Sequence, residues 1–273
     1  MVWLHTEVGS IELWQGLTLI GVGIVSGSLG GMLGIGGGVV NIPMLSILFG
    51  LPMHLAQAAS MTVTPFVAAA AAIGHHSEKM VCIPLLKRLA PVAIVAIVGG
   101  VTASIYVPNA WLQLVFGVFL IWVAFIHIRK LLTGVRIAAD QEPVVTCGRM
   151  LIVGGCFGFG AGLLGIGGGL IIVPLLGIVC RVPLRQCIAT SSAVMVVTSI
   201  IGAIYKDSTL MMTPDLPCSV RWWMPLEFAG WLIPSSLASS WCMAKLSHRM
   251  PLRVVRMVFV ALVLVASWKL LFT

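Results

Sequence analysis

The apolar run Leu13–Phe49 is 37 residues long. One straight helix of that length would measure about 55 Å, against a hydrocarbon core of about 30 Å, so the run must break or turn. A second run, Met150–Cys180, holds 31 residues. Each carries the same cluster, "GMLGIGGGVVNIP" from Gly31 to Pro43 and "GLLGIGGGLIIVP" from Gly162 to Pro174. Glycine inside a helix costs about 1 kcal/mol relative to alanine. Four glycines in five positions therefore predict two half-helices meeting at a break, with Pro43 and Pro174 closing the runs.

Six further runs have ordinary spanning length: Leu55–Gly74, Pro84–Tyr106, Ala110–Lys130, Leu184–Tyr205, Met224–Trp241 and Leu252–Phe272. The chain is 59% hydrophobic and 9% charged, where a soluble domain carries about 25% charged residues. The expected fold is thus an all-α polytopic membrane protein with about eight transmembrane elements, and its first partner is the lipid bilayer. The net charge of +8 is read as cytoplasmic loop charge, with no nucleic-acid partner. Glu7 and Glu12, with no Lys or Arg before the first run, read against a secretory signal. The longest polar stretches, Leu131–Arg149 and Lys206–Arg221, are expected loops. None of the seven cysteines forms a Cys-x-x-Cys pair; they are read as small buried residues, with no disulfide and no metal.

The chain also repeats itself. Shifted by 131 residues, Val22–Ser60 overlies Val153–Ser191 with 16 of 39 positions identical, including every glycine of the cluster and its proline. Shifted by 143, Pro91 meets Pro234, Pro108 meets Pro251 and Phe116 meets Phe259. The expected organisation is one repeat over 13–132, a linker over 133–148 and a second repeat over 149–272. Charge parity bears on their relative orientation. If each long run crosses once, the Lys and Arg residues divide 10 against 6 between the two sides; if each returns, they divide 13 against 3. The positive-inside rule favours returning runs and hence inverted repeats.

A break inside a membrane protein survives where protein or a water-filled cavity covers its backbone. It also exposes N–H groups at the positive end of a helix dipole, which is a ready anion site. The candidate substrate-binding residues are Gly34, Gly36, Gly37, Gly38, Asn41 and Pro43 in the first half and Gly165, Gly167, Gly168, Gly169 and Pro174 in the second. Ser60 and the trio Thr190, Ser191 and Ser192 add hydroxyls on the following span, with Ser60 and Ser191 paired by the repeat. His75 and Glu227 are candidates for ion coupling. Close helix packing is the competing role for the glycines, and helix–helix hydrogen bonding for the hydroxyls.

The doubled pattern, "GGMLGIGGGVVNIPML" and "GAGLLGIGGGLIIVPLL", resembles the TauE/SafE, or sulfite exporter, family of membrane transporters. So does the basic-proline entry of the last helix, "LSHRMPLRVVRMVF". The similarity covers about residues 15–272. It implies a multi-pass protein of the bacterial inner membrane that exports small anions, typically sulfite or organosulfonates, with no cofactor. The first half departs at "AASMTVTPF", where similar proteins carry a Thr-Ser pair like Thr190–Ser191. An enzyme is not expected: the glycine clusters lack the lysine of a nucleotide-binding loop, and Ile24 stands where an intramembrane serine protease would need glycine before Ser26. A permease for another solute and a non-transporting scaffold remain the alternatives, and the oligomeric state stays open.

Overall fold

The computed structural model describes residues 13–76, 81–133, 146–214, 216–217, 220–246 and 252–272. They form ten α-helices with no strand among them: α1 Leu13–Leu33, α2 Gly38–Phe49, α3 Met53–His76, α4 Ile83–Ile105, α5 Asn109–Thr133, α6 Cys147–Leu164, α7 Gly169–Val179, α8 Leu184–Thr209, α9 Met224–Leu246 and α10 Leu252–Phe272. Five are long and apolar enough to cross a membrane: Leu13–Leu33, Met53–Gly74, Ile83–Ile105, Asn109–Arg129 and Gln186–Met212.

Both long runs break at the glycine cluster, but not into equal halves. α1 has 21 residues and α2 has 12; α6 has 18 and α7 has 11. The helix before each break keeps its full length because its glycines seat it on a neighbour. In α1, Gly23, Gly27 and Gly31 lie on Leu232, Ser236 and Ser240 of α9, so closely that a Cβ at Gly27 or Gly31 would run into backbone. In α6, Gly158 and Gly162 lie in the same way on Ala93, Ile97 and Val101 of α4. Small residues let helix axes approach where lipid supplies no hydrophobic drive. The prolines do not close the runs either. Pro43 and Pro174 are each the sixth residue of α2 and α7. Each removes one helical hydrogen bond; Pro43 is buried and Pro174 half-buried. The first run ends instead at Gly50, in left-handed conformation, and the second at Cys180.

Residue contacts fix the helix directions. α1 runs parallel to α9, from Gly16 on Trp231 to Gly31 on Ser240, and α3 runs parallel to α9, from Val67 by Ser240 to Gly74 by Ala244. α6 runs parallel to α4, from Gly154 by Leu89 to Gly162 by Val101. α4 runs parallel to α8: the Cys82 N–H donates to Thr190 at one end, and Lys206 donates to Ser104 at the other. α3 is antiparallel to α8, with His54 by Lys206 and Thr64 near Met195. α5 is antiparallel to α10, from Gln113 by Leu270 to His127 by Phe259. The bundle thus has a Pro108 end, where α1, α3, α5 and α9 begin, and a Cys82 end, where α4, α6, α8 and α10 begin. α2 brings the chain back to the Pro108 end, where Phe49 meets Phe228 edge-on at 5.9 Å. α7 brings it back to the Cys82 end, where Arg149 at the start of α6 donates to the Val179 carbonyl.

One expected loop is helix. α8 continues to Thr209 and a 3-10 turn follows over Leu210–Met212. Lys206 is therefore a buried helical residue and not a loop charge. Its head finds polar partners inside the protein, Ser104 and His54, which a sequence window cannot distinguish from a helix end.

Candidate functional site at the paired glycine breaks

Glycine is required at the breaks by backbone conformation. Gly34, Gly36 and Gly37 have φ of 66°, 77° and 75°; Gly165, Gly167 and Gly168 have 70°, 69° and 81°. Side chains rarely tolerate this region. Gly38 and Gly169 are helical and serve a different need, close approach. A Cβ on Gly38 would sit 2.7 Å from the Ile166 carbonyl oxygen, and one on Gly169 would run into the Gly34 carbonyl and lie 2.5 Å from Ile35 Cα. The two breaks therefore touch, each helix start resting on the other's loop.

The contacts repeat when the halves are exchanged. Gly34 lies on Ile188 and Gly165 on Gln57; Gly36 and Gly167 both lie against Thr64 and Met195. Thr64 is the twelfth of 24 residues in α3 and Met195 the twelfth of 26 in α8. The breaks thus sit halfway along both helices. At each break the next helix begins with free donors. Val40 and Asn41 are the first N–H groups to bond back, to the Gly37 carbonyl, and Ile171 and Ile172 do the same to Gly168. Helix geometry leaves Gly38, Val39, Gly169 and Leu170 without an intrahelical acceptor, and all four are buried.

Several buried polar atoms lack partners, and Asn41, Gln57 and Ser199 carry theirs at or next to the breaks. Both side-chain polar atoms of Asn41, Gln57 Oε1, Ser60 Oγ and Ser199 Oγ are buried with no hydrogen bond. Asn41 lies one turn into α2, Gln57 abuts Gly165, and Ser199 Oγ lies 3.4 Å from where a Gly167 Cβ would stand. Buried polar groups in proteins are nearly always paired, so this concentration marks a place able to hold a polar ligand. Gln57 stands in the sequence among the polar residues that open the second apolar span, whereas Ser199 is not evident from the sequence as a site residue. Gln57 is aligned with Ile188 and Ser199 with Ala68, so the repeat gives no signal for either.

The other hydroxyls are engaged. Ser191 Oγ donates to the Gly34 carbonyl at 3.3 Å and to Ile188 at 2.9 Å, which ties α8 to the first break. Ser192 donates back to Ile188, and Thr190 accepts from the Cys82 N–H at the start of α4. Pro43 and Pro174 lie one and a half turns into their helices. Glu227 and His75 are not brought to the breaks. Glu227 lies in the first turn of α9, 13 residues or about 20 Å before Ser240, which marks the level of Gly31. His75 lies 11 residues or about 16 Å beyond Thr64, near the end of α3, and its side chain is outside the described residues.

A family model, "Sulfite exporter TauE/SafE", matches residues 19–270. The chain belongs to the TauE/SafE family. Among similar proteins, the probable membrane transporter protein MamO of Magnetospirillum gryphiswaldense is 24% identical over 98% of this chain and 46% of its own length. A probable membrane transporter protein of Methanocaldococcus jannaschii is 33% identical over 68% of this chain and 70% of its own. One of Haemophilus influenzae is 30% identical over 72% and 74%. The chain thus spans under half the length of MamO but most of the other two. No solved structure matches. Family membership and the apolar helices together make this TauE/SafE protein a multi-pass membrane protein.

Proposed function

We propose that the protein exports a small anion, sulfite or an organosulfonate, across a bacterial inner membrane, and that the anion binds where the α2 and α7 N-termini meet. The observation that carries this reading is the meeting itself. Two helix starts with free N–H donors lie halfway along α3 and α8, lined by glycine and with unpartnered polar atoms at or next to them. Helix N-termini favour anions through their donors and their dipoles. Gly36, Gly37, Gly167 and Gly168 give the anion access to backbone that any side chain would block. Asn41, Gln57, Ser60 and Ser199 are the side chains that complete its shell.

An inverted duplication supports the same reading. Each helix of the first half runs opposite to its repeat-mate: α3 against α8, and α5 against α10. A two-fold axis in the membrane plane produces this relation, and transporters built so bind substrate near the midplane at the repeat interface. Export of an anion from a negative interior is driven by the membrane potential, at about 2.3 kcal/mol per charge per 100 mV. A coupling carboxylate is then unnecessary, which agrees with the position of Glu227 far from the breaks.

The test is flux from proteoliposomes loaded with radiolabelled sulfite, sulfate, thiosulfate or a short sulfonate. Gly37→Leu and Gly168→Leu should abolish export, while Gly99→Leu, where a side chain meets open space, should leave it unchanged. Flux of a neutral solute and of no anion would favour a different permease. No flux of any solute by well-folded protein would favour the scaffold reading.

A further inference from the structure

A second polar cluster lies at the Pro108 end, away from the glycine breaks. Lys206 is 1% exposed and sits 11 residues, about 16 Å, beyond Met195 in α8. Its Nζ donates to Ser104 Oγ at 2.8 Å, near the end of α4, and to His54 Nδ1 at 3.3 Å, near the start of α3. The direction of that second bond follows from the other face of the ring. His54 Nε2 lies 3.1 Å from the Val107 carbonyl, which can only accept, so Nε2 carries the proton and Nδ1 is the acceptor. Ser104 spends its own proton on the Val101 carbonyl. Both partners of the ammonium are thus neutral, and no third acceptor or paired carboxylate meets it among the described residues.

The neighbouring acid acts on the ammonium through space but does not touch it. Asp207 Oδ2 accepts from Thr62 of α3 at 2.9 Å, while Oδ1 is buried and unpartnered. A buried ammonium is costly unless it is paired. Here the pairing is two neutral acceptors for three donors, in a chain whose proposed cargo is negative. Along α3 and α8, Ser60 and Ser199, whose hydroxyls are unpartnered, fall in sequence between Thr64 and His54 and between Met195 and Lys206.

We propose that Lys206 is the charged ligand of a second oxyanion station, between α3, α4 and α8 at the Pro108 end. The anion would take the ammonium's remaining hydrogen, with Ser104 and His54 holding the cation in place. The charge count places this end outside, because Lys87, Arg88, Arg129, Arg149, Arg181 and Lys245 all belong to the Cys82 end. The station is then where an exported anion pauses before release. The inference rests on the transport reading for its substrate class, but its test does not depend on flux.

The test is equilibrium binding of radiolabelled sulfite to purified detergent-solubilised protein, with sulfate as competitor and gluconate as the background anion. The variants are Lys206→Met, Lys206→Gln and Lys206→Arg. Glutamine keeps donors for Ser104 and His54 without the charge, and so guards against a loss that is only structural. Wild-type protein should bind sulfite at two sites, and both neutral variants should lose one of them or weaken it about tenfold or more, while Lys206→Arg, which keeps the charge, should retain that site better than either. Unchanged binding in a folded neutral variant, loss in all three variants alike, or no oxyanion binding by the wild type would each overturn the proposal. Unchanged binding in Lys206→Gln alongside normal wild-type export would leave the glycine-break reading standing. Wild-type binding that Lys206→Gln weakens, without export, would reject that reading and keep the station.

Discussion

Both polar atoms of Asn41 are buried without a partner, one turn into α2. An unpaired buried polar group costs about 1–3 kcal/mol, so a side chain kept only for folding would be better apolar. Asn41→Leu should therefore hold or raise the thermal unfolding midpoint and still lower anion flux about tenfold, the worth of one lost hydrogen bond to a charged ligand. Unchanged flux in that variant would remove Asn41 from the site. The glycines predict the reverse pattern. At Gly169 an added Cβ runs into backbone of the facing break, and overpacking costs about 1–3 kcal/mol, so Gly169→Ala should lower both stability and flux. Six of the cluster glycines are legible from sequence alone, because left-handed backbone admits few other residues. Gly38 and Gly169 are legible as members of the repeat, but their reason, contact with the opposite break, depends on residues more than 100 positions away. Lys206 is illegible: at the edge of an apolar run, in "YKDS", it reads as a loop charge.

At the scale of helices, the run lengths locate both breaks, since no single helix of 37 residues fits one crossing. They do not reveal that α1 and α6 stay long while α2 and α7 are short. That asymmetry arises where Gly27 and Gly31 meet α9, and Gly158 and Gly162 meet α4. These seams make a prediction that separates packing from binding. Gly27→Val and Gly158→Val should each destabilise the protein by about 1–3 kcal/mol, read from unfolding in detergent. Gly99→Val and Gly230→Val, where the added Cβ meets open space, should cost only the smaller propensity change. Equal losses at all four positions would mean that α1–α9 and α4–α6 do not pack through their glycines. The mid-helix serines of α9 belong to the same argument. Ser240 donates to the Val67 carbonyl and Ser239 to the Gly23 carbonyl, tying α9 to both α3 and α1 with groups that lower its apolar character.

For the molecule as a whole, the charge pattern and the helix directions are separate lines of argument that converge. The sequence tally of 13 against 3 counts Lys206 as a loop charge; with Lys206 buried in α8, the minority side keeps only Arg221 and Lys269. Burial of the lysine therefore sharpens the asymmetry on which the positive-inside argument depends. The directions give the second line. The connection at Pro108 joins the end of α4 to the start of α5, and the one at Pro251 joins the end of α9 to the start of α10. α4 and α9 run oppositely, because α4 is parallel to α8, α9 is parallel to α3, and α3 and α8 are antiparallel. In the proposed inverted arrangement these repeat-mate connections face opposite compartments. In a cysteine-free background, single cysteines at Pro108→Cys and Pro251→Cys can be probed with a membrane-impermeant maleimide on intact cells and on inverted vesicles. The Pro108→Cys protein should label in cells and the Pro251→Cys protein in inverted vesicles. Labelling of both from one side would require parallel repeats, would contradict the opposed courses of α4 and α9, and would remove the geometric basis for a shared anion site.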